Sequence, residues 1–416
     1  MSAAEKTTDE AGETSWDLSF SAVELKESAS LGGDVRLEIA PRTTVLVGKN
    51  GAGKSLLLDK MYAGIWGAAG VVQAAEPDPA YFACDVEEGV RLTPEKSWKL
   101  RYECRWHPRD EEPESGDAAA LPTTPGVSLK VEEHCWLPGE PERLLWRVDD
   151  GVVTYNNSEQ GEIALGRTLL NWTISRGRRG GREFLFPNMA YPLRELFFKV
   201  MRVRAGIPRG DSEREELALP YPEPTRSRNT VEARRIRWLA YTLVRWHEEE
   251  REQFEELTAL ARRVGLITEV KVKLYRDPDP KRTNQSRDFA SVVVDEIDFG
   301  LLSDGTLRVL EILVWLVFPG VKLLLIEEPE TAVHPGLLSK LLAEIDAYSH
   351  DRQIVLTTQS PNVVSWANPS ALRLVERHDG KTSVRSLRED EIGRVSAYLN
   401  DEGTLGDFVY SGALDG

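Results

Sequence analysis

The chain has 416 residues, 68 of them acidic against 52 basic, and a formal net charge of −16 at pH 7. At 41 % apolar and 29 % charged residues it holds enough core material for two or three domains. The bulk charge repels a phosphate backbone, so any nucleic-acid contact falls to a local basic patch. Three cysteines (Cys84, Cys104, Cys135), none in C-x-x-C spacing, argue against a disulfide scaffold and against a cysteine zinc site. No apolar run approaches the roughly 18 residues of a membrane span. A cytoplasmic protein with no membrane partner is expected.

In chain order, residues 1–15 are polar and acidic and read as a disordered tail. Residues 16–48 are strand material, closing on an apolar β-branched run at 44–47 that ends in Gly48. After Ser55, Leu56, Leu57, Leu58, Met61, Tyr62 and Ile65 follow at helical spacing. Residues 97–107, 127–137, 143–149 and 152–155 read as antiparallel strands, with a hairpin turn at Asp149-Asp150-Gly151. Residues 172–230 are rich in Arg, Gly and Pro. Thr230 caps a single long helix running to about Val264. Helix 308–318, strand 321–326, helix 336–348 and strand 353–358 complete a second α/β stretch. The domains expected are a head lobe at 16–75, an insertion at 76–230, an arm-like helix and strand at 231–286, and a second head lobe at 287–416.

Three motifs carry chemistry. Gly48-Lys49-Asn50-Gly51-Ala52-Gly53-Lys54-Ser55 satisfies G-x-x-x-x-G-K-[ST] between a strand and a helix. Glycines let the backbone N–H groups of Gly48, Asn50, Gly51, Ala52 and Gly53 curl around phosphates, and the helix N-terminus adds its positive dipole end. Lys54 reaches the β- and γ-phosphates, and the Ser55 hydroxyl completes a magnesium shell. Next, the strand ending Leu325-Ile326-Glu327-Glu328-Pro329-Glu330 delivers adjacent carboxylates to its C-terminal edge. One of the pair can hold magnesium through water while the other activates the attacking water. Third, Leu302-Ser303-Asp304-Gly305-Thr306 opens a helix, as an anion site or as an ordinary N-cap.

The ordered set GKNGAGKS, LLSDGT, LLLIEEPE, TAVHP and VLTTQSP resembles the ABC-class ATPase heads of the RecF, SMC and OLD group, in particular stand-alone ATPases of bacterial anti-phage modules. The resemblance covers about residues 17–75 and 287–365. It implies an α/β fold, a P-loop head with a mixed sheet flanked by helices, split by a long β-plus-helical insertion. It also implies ATP and Mg2+ as ligands and a head-to-head dimer sandwiching two ATPs. Carried over, Lys54 and Ser55 bind phosphate and magnesium, Ser303 and Gly305 touch the γ-phosphate in trans, and Glu328 is the catalytic base. Glu327 stands where the family usually has a magnesium aspartate. Gln359 stands at the switch position, commonly histidine; an amide cannot titrate near neutral pH, so slow turnover is expected. His334 lies in the loop that faces the partner head, with helix capping the alternative. Gln73 is the nearest candidate for the family's Q-loop glutamine.

Between 172 and 209, Arg176, Arg178, Arg179, Arg182, Arg194, Lys199, Arg202, Arg204 and Arg209 face only Glu183 and Glu195. Arg226, Arg228, Arg234, Arg235 and Arg237 extend this basic trend. The patch, centred on Arg176, Arg178, Arg179 and Arg182, suits nucleic-acid phosphates or docking of an acidic partner. The residues that follow Gln359 here are too few for the nuclease domain of OLD enzymes, so none is expected. The expected function is an ATP-driven, self-associating switch that controls an effector protein in anti-phage defence. The alternative is a RecF-like repair ATPase whose main task is DNA binding.

Overall fold

In the computed structural model the described residues are 18–69, 78–88, 99–108, 129–137, 143–149, 151–155, 158–162, 168–170, 190–203, 231–275, 289–400 and 404–410. The chain forms two compact units, Met1–Val200 with Ala367–Gly416, and Met201–Trp366.

In the first unit, β1 (Leu18–Ser28) pairs antiparallel with β2 (Gly33–Glu38). The alternation of β1 buries Leu18, Phe20, Val23 and Leu25 on the core face. A register shift between Phe20 and Ala22 puts two successive residues, Ala22 and Val23, inside, as a bulge does. The next strands are β3 (Thr43–Val47), β4 (Tyr81–Glu88), β5 (Lys99–Pro108), β6 (Leu129–Leu137), β7 (Arg143–Asp149), β8 (Val152–Tyr155) and β9 (Ser158–Glu162). Apart from β3 they extend the first pair into an eight-stranded sheet ordered β2-β1-β4-β5-β6-β7-β8-β9. The sequence-predicted insertion strands are therefore continuous with the N-terminal sheet.

Helices α1 (Lys54–Ala68) and α2 (Ala190–Phe198) cover the core face of that sheet. Phe197 of α2 lies 5.8 Å from Phe20, 6.0 Å from Phe82 and 5.3 Å from Tyr102, ring centre to ring centre. Gly64 makes room for this cluster, because a Cβ there would lie 2.6 Å from the Phe82 ring. The three cysteines are buried and unbonded. Strand β3 pairs parallel with β16 (Leu372–His378), which pairs antiparallel with β17 (Lys381–Ser386). Helices α8 (Glu389–Asn400) and α9 (Leu405–Tyr410) end the described chain.

The second unit takes in β10 (Val200–Val203), whose first residue closes the first unit, and then two helices, α3 (Val231–Glu248) and α4 (Arg251–Val264). The sequence suggested one long helix here. Glu250 instead adopts φ −128° and ψ 65°, outside the helical region, and stands as the N-cap of α4. Gly265 then ends α4 in the left-handed region at φ 81°. Nor is this an arm: α4 packs on α5 (Asp304–Val317) and on α6 (Pro335–Tyr348), and it buries Phe254, Leu257, Leu260, Ala261 and Val264. Strands β11 (Val270–Tyr275), β12 (Phe289–Val294) and β13 (Ile297–Asp298) form a small antiparallel sheet beside α3.

The centre of this unit is the parallel pair β14 (Leu323–Glu327) and β15 (Gln353–Thr358), every residue of which is buried. That is why both strands read as unbroken apolar runs in sequence. Strand β10 is the neighbour of β14 on its other side. Helix α5 is buried almost all round, from Leu307 to Val317 with only Trp315 half-buried. A short helix, α7 (Pro361–Trp366), closes the unit.

Candidate nucleotide site

In the first unit, buried β3 runs into the glycine loop and α1 leaves it at Lys54. Gly48 has no room for a side chain, since a Cβ would lie 2.1 Å from the carbonyl oxygen of Val375 on β16. Gly51 and Gly53 take φ of 78° and 97°, the left-handed region that glycine occupies without cost. Gly53 caps α1 with no side-chain hydrogen bond, so the first turn of the helix keeps backbone N–H groups facing the loop. Asn50, Gly51 and Ser55 are exposed and Ala52 is buried. Lys54 is only 4 % exposed. Its ammonium donates to the carbonyls of Gly48 at 2.7 Å and Lys49 at 3.1 Å, which folds the loop around the cation. The loop is thus shaped as an anion cradle with one buried positive charge inside it.

In the second unit, β14 ends on Glu327 and the chain turns at Glu328, which has φ 41°, a costly conformation for a non-glycine residue. Backbone N–H of Glu328 donates to the carbonyl of Thr357 at 3.0 Å, tying this turn to the end of β15. The Glu328 carboxylate accepts from the Gln359 side-chain amide and from Thr331 Oγ1, the latter at 3.3 Å. Glu330 fixes the same corner from the other side. Its Oε1 accepts from Thr358 Oγ1 at 2.7 Å and from the backbone N–H of Gln359 at 2.9 Å. The catalytic carboxylate and switch glutamine expected from sequence are therefore in direct contact, and Glu330 anchors the backbone that carries the glutamine.

Glu327 points elsewhere. Its Oε1 accepts from Arg202 of β10, through Nε at 2.9 Å and through Nη2, and both side chains are more than nine-tenths buried. The carbonyl of Glu327 accepts from Nη2 of Arg308 on α5. Burial lowers the Arg308 guanidinium to about 10, which still leaves it charged at neutral pH. Glu311, one turn further along α5, forms an ion pair with Arg235 of α3, and burial raises its carboxyl above the ordinary range.

Ser303 caps α5, its Oγ accepting from Thr306 N–H at 3.2 Å, and it remains exposed. Both readings of this serine are compatible with that geometry, since an exposed N-cap also presents the helix terminus. Gly305 is buttressed by the following loop: a Cβ there would lie 2.2 Å from the carbonyl oxygen of Ala332. His334 is an exposed N-cap of α6, Nδ1 accepting from Gly336 N–H at 3.1 Å, with Pro335 in the first turn.

The basic trend needs correction. Arg202 and Arg235 are not part of a solvent-facing patch; each is spent on a carboxylate inside the second unit. Of the others, Arg194 stacks over the Phe198 ring at 5.1 Å and Lys199 pairs with Glu195 at 3.4 Å. Arg176, Arg178, Arg179, Arg182 and Gln73 lie outside the described residues, as do the tail at 1–15 and most of 172–230. What sequence reasoning missed is Arg202 as a site residue, and the signal was there: an arginine inside the apolar run Val200-Met201-Arg202-Val203 needs a buried partner.

Magnesium takes hard oxygen donors and is commonly held by one or two carboxylates, a hydroxyl, nucleotide phosphates and water. The exposed Ser55 hydroxyl at the start of α1 is a donor of that kind; the Glu327 carboxylate is one by chemistry, but its Oε1 is engaged by Arg202. Among the described residues no helix is long and apolar enough to cross a membrane.

In comparison with known proteins, residues 198–365 match the model of the family described as "AAA domain, putative AbiEii toxin, Type IV TA system". The chain resembles SMC head structures at low identity. One is an SMC head bound to the C-terminal winged-helix domain of ScpA, at 12 % identity and TM-score 0.44, with 89 % of this chain and 98 % of that one covered. Another is the SMC head of Thermotoga maritima, at 12 % identity and TM-score 0.39, covering 89 % and 99 %. A third is the Pyrococcus furiosus SMC head with an extended coiled coil, bound to the C-terminal domain of ScpA, at 12 % identity and TM-score 0.44, covering 92 % and 100 %. No curated protein matches the sequence. Residues 198–365 are thus similar to an AAA domain, and the described residues form a mixed α/β architecture of sheets and helices.

Proposed function

We propose, starting from the match to an AAA domain, that the chain binds and slowly hydrolyses ATP, self-associates when ATP is bound, and uses this change to control a partner effector in bacterial anti-phage defence. The observation that carries the reading is the pairing of Gln359 with Glu328 at the ends of two adjacent parallel strands. The backbone N–H groups of Gly48 to Gly53 cradle the phosphates, and Lys54 turns from its loop carbonyls to the β- and γ-phosphates. Ser55 and Glu327 would each be an oxygen donor to magnesium, an ion that would supply neutralisation of phosphate charge when bound. Glu328 takes the proton of the attacking water, and Gln359 orients that carboxylate without exchanging a proton at neutral pH. Ser303 and Gly305 present the terminus of α5 to the γ-phosphate held by a second copy.

The effector and defence roles rest on the family description, which names a toxin of a toxin–antitoxin system, and on the resemblance to anti-phage ATPases. The test is ATP binding and turnover by the purified chain beside Lys54→Ala. Removing the buried ammonium should abolish ATP-induced thermal stabilisation, a shift that reports ligand occupancy directly. Equal ATP binding by Lys54→Ala would end the phosphate-loop reading. Co-purification with the product of the neighbouring gene, with and without ATP, then tests the effector.

A further inference from the structure

The apolar face of the small sheet β11-β12-β13 runs out from under its cover at Ile297. Val270, Val294 and Ile297 lie in one row across the three strands. Helix α3 packs on β11 and β12, and Val270 and Val294 are buried, whereas Ile297 on the edge strand is 48 % exposed. Leu301, four residues on, is 78 % exposed. Among the described residues no other large apolar side chain is as exposed as either of these. Exposed apolar residues scattered singly are ordinary. A pair in one short segment, continuing a buried row, is a contact surface. Resting on the reading that the chain controls a partner protein, we propose that Ile297 and Leu301 anchor the docking surface for that partner, which presents a basic amphipathic helix to it.

Charge selects the partner. Asp295, Glu296, Asp298 and Asp304 are all exposed, and no lysine or arginine occurs between residues 295 and 304. Lys271 of β11 is already paired with Glu269 at 2.6 Å. Carboxylates around an apolar pair repel nucleic-acid phosphates and attract lysine and arginine. A second copy of this chain is a poorer match, since it carries the same net charge of −16. The two-residue turn between β12 and β13 points the same way. Asp295 and Glu296 take φ of 46° and 68° there, a conformation that Asn-Gly adopts at least cost. The chain instead keeps two carboxylates at the tip.

The segment is also pre-formed. Asp295 accepts from the backbone N–H groups of Thr268 at 2.9 Å and Glu269 at 2.7 Å, and Asp298 Oδ1 accepts from Gly300 N–H at 3.0 Å. Phe299, between the two anchors, is buried and pins the segment to the unit. Little ordering entropy is therefore lost on this side when a partner docks. Strand β13 is only two residues long, too short an edge for a partner strand to pair along. Side chains on one face of a helix are the mode of contact that remains.

The experiment titrates the full chain into a fluorescent synthetic helical peptide with leucines on one face and arginines on the other, read by anisotropy without nucleotide. One control peptide has glutamate for arginine, the other alanine for leucine. Wild type should bind the leucine–arginine peptide and neither control. Leu301→Ser and Ile297→Thr should each lower affinity by about tenfold to a hundredfold, the range that follows from burying an aliphatic side chain. Glu296→Lys should weaken binding by about threefold and flatten its salt dependence. Leu301 is so exposed that Leu301→Ser should melt at the wild-type temperature, which keeps the test separate from folding. No binding by wild type, equal affinity in Leu301→Ser and Ile297→Thr, or equal binding of the glutamate peptide overturns the proposal. So does loss of ATP-dependent self-association by Leu301→Ser, read by sedimentation, with peptide affinity unchanged; the surface would then be covered by a second copy. Lys54→Ala should bind the peptide as wild type does. Peptide binding by a wild type that binds no ATP overturns the ATPase reading alone, and ATP binding without peptide binding overturns this proposal alone.

Discussion

Gln359 donates its side-chain amide to Glu328 from just beyond the matching C-terminal end of the neighbouring parallel strand. Glu328 is thereby held at both oxygens, by Gln359 and by Thr331, on a backbone fixed in the left-handed region. Glu328→Gln should lower ATP turnover by about a hundredfold or more, the usual value of a general base, while ATP stays bound and the ATP-dependent assembly persists. Gln359→Ala removes only the orienting amide and should lower turnover with ATP affinity unchanged. Single-turnover hydrolysis and nucleotide binding, measured side by side, check both. Undiminished hydrolysis by Glu328→Gln would move the base to Glu327 or Glu330.

Gly305 offers a test of the exposed terminus of α5. A methyl group at this position would meet the Ala332 carbonyl at 2.2 Å, and Ala332 itself sits at φ 60°, with little freedom to retreat. Gly305→Ala should cost about 1–3 kcal/mol, as overpacking of a tight contact does. Because the phosphate loop is untouched, ATP should still bind. Self-association in ATP, read by sedimentation, should be lost. Retained assembly would show that the α5 terminus does not meet the partner's nucleotide.

The strands that end beside Glu328 and Gln359 are legible in the sequence because physics writes them plainly. Residues 323–327 and 353–358 are buried on both faces and so read as apolar runs, and the glycine loop follows a strand of the same kind. The antiparallel strands of the insertion were legible from alternation, and β7 matched the predicted residues 143–149. Less legible was anything settled by tertiary partners. Glu250 can sit in a helix by propensity, yet the chain breaks there so that α4 can pack on α5 and α6. Arg202 and Arg235 counted as surface charge in a linear tally, because only the fold brings Glu327 and Glu311 beside them.

With those two arginines removed from the basic trend, the segment at 176–182, which lies outside the described residues, carries the discriminating test. Replacing Arg176, Arg178, Arg179 and Arg182 by Glu should weaken binding to DNA or RNA and flatten its salt dependence by about one unit per lost phosphate contact. Electrophoretic mobility at several salt concentrations measures this. If wild type binds no nucleic acid, the same variant should instead fail to retain an acidic effector.

Glu133 gives a prediction about stability that does not involve ATP. It lies fully buried on β6, among Cys104, Trp146 and Val148 of the adjoining strands. Burial raises its carboxyl from 4.5 to about 7, offset in part by hydrogen bonds from the backbone N–H of Leu169 and from Trp146 Nε1, the latter at 3.2 Å. Between these two values the folded chain holds a proton that the unfolded chain has released. Folding stability from this group is therefore greatest below about pH 4.5, falls as the pH rises to about 7, and is flat above. A shift of that size corresponds to roughly 3 kcal/mol at its full extent. Glu133→Gln keeps the shape and cannot ionise. Its stability relative to wild type should rise across that window by an amount of this order, whatever constant offset the amide introduces. Urea unfolding of both proteins at intervals from pH 5 to pH 8 measures the difference. A difference that does not change with pH would mean that Glu133 ionises in the folded chain as it does in the unfolded one, and that the donors from Trp146 and Leu169 outweigh burial.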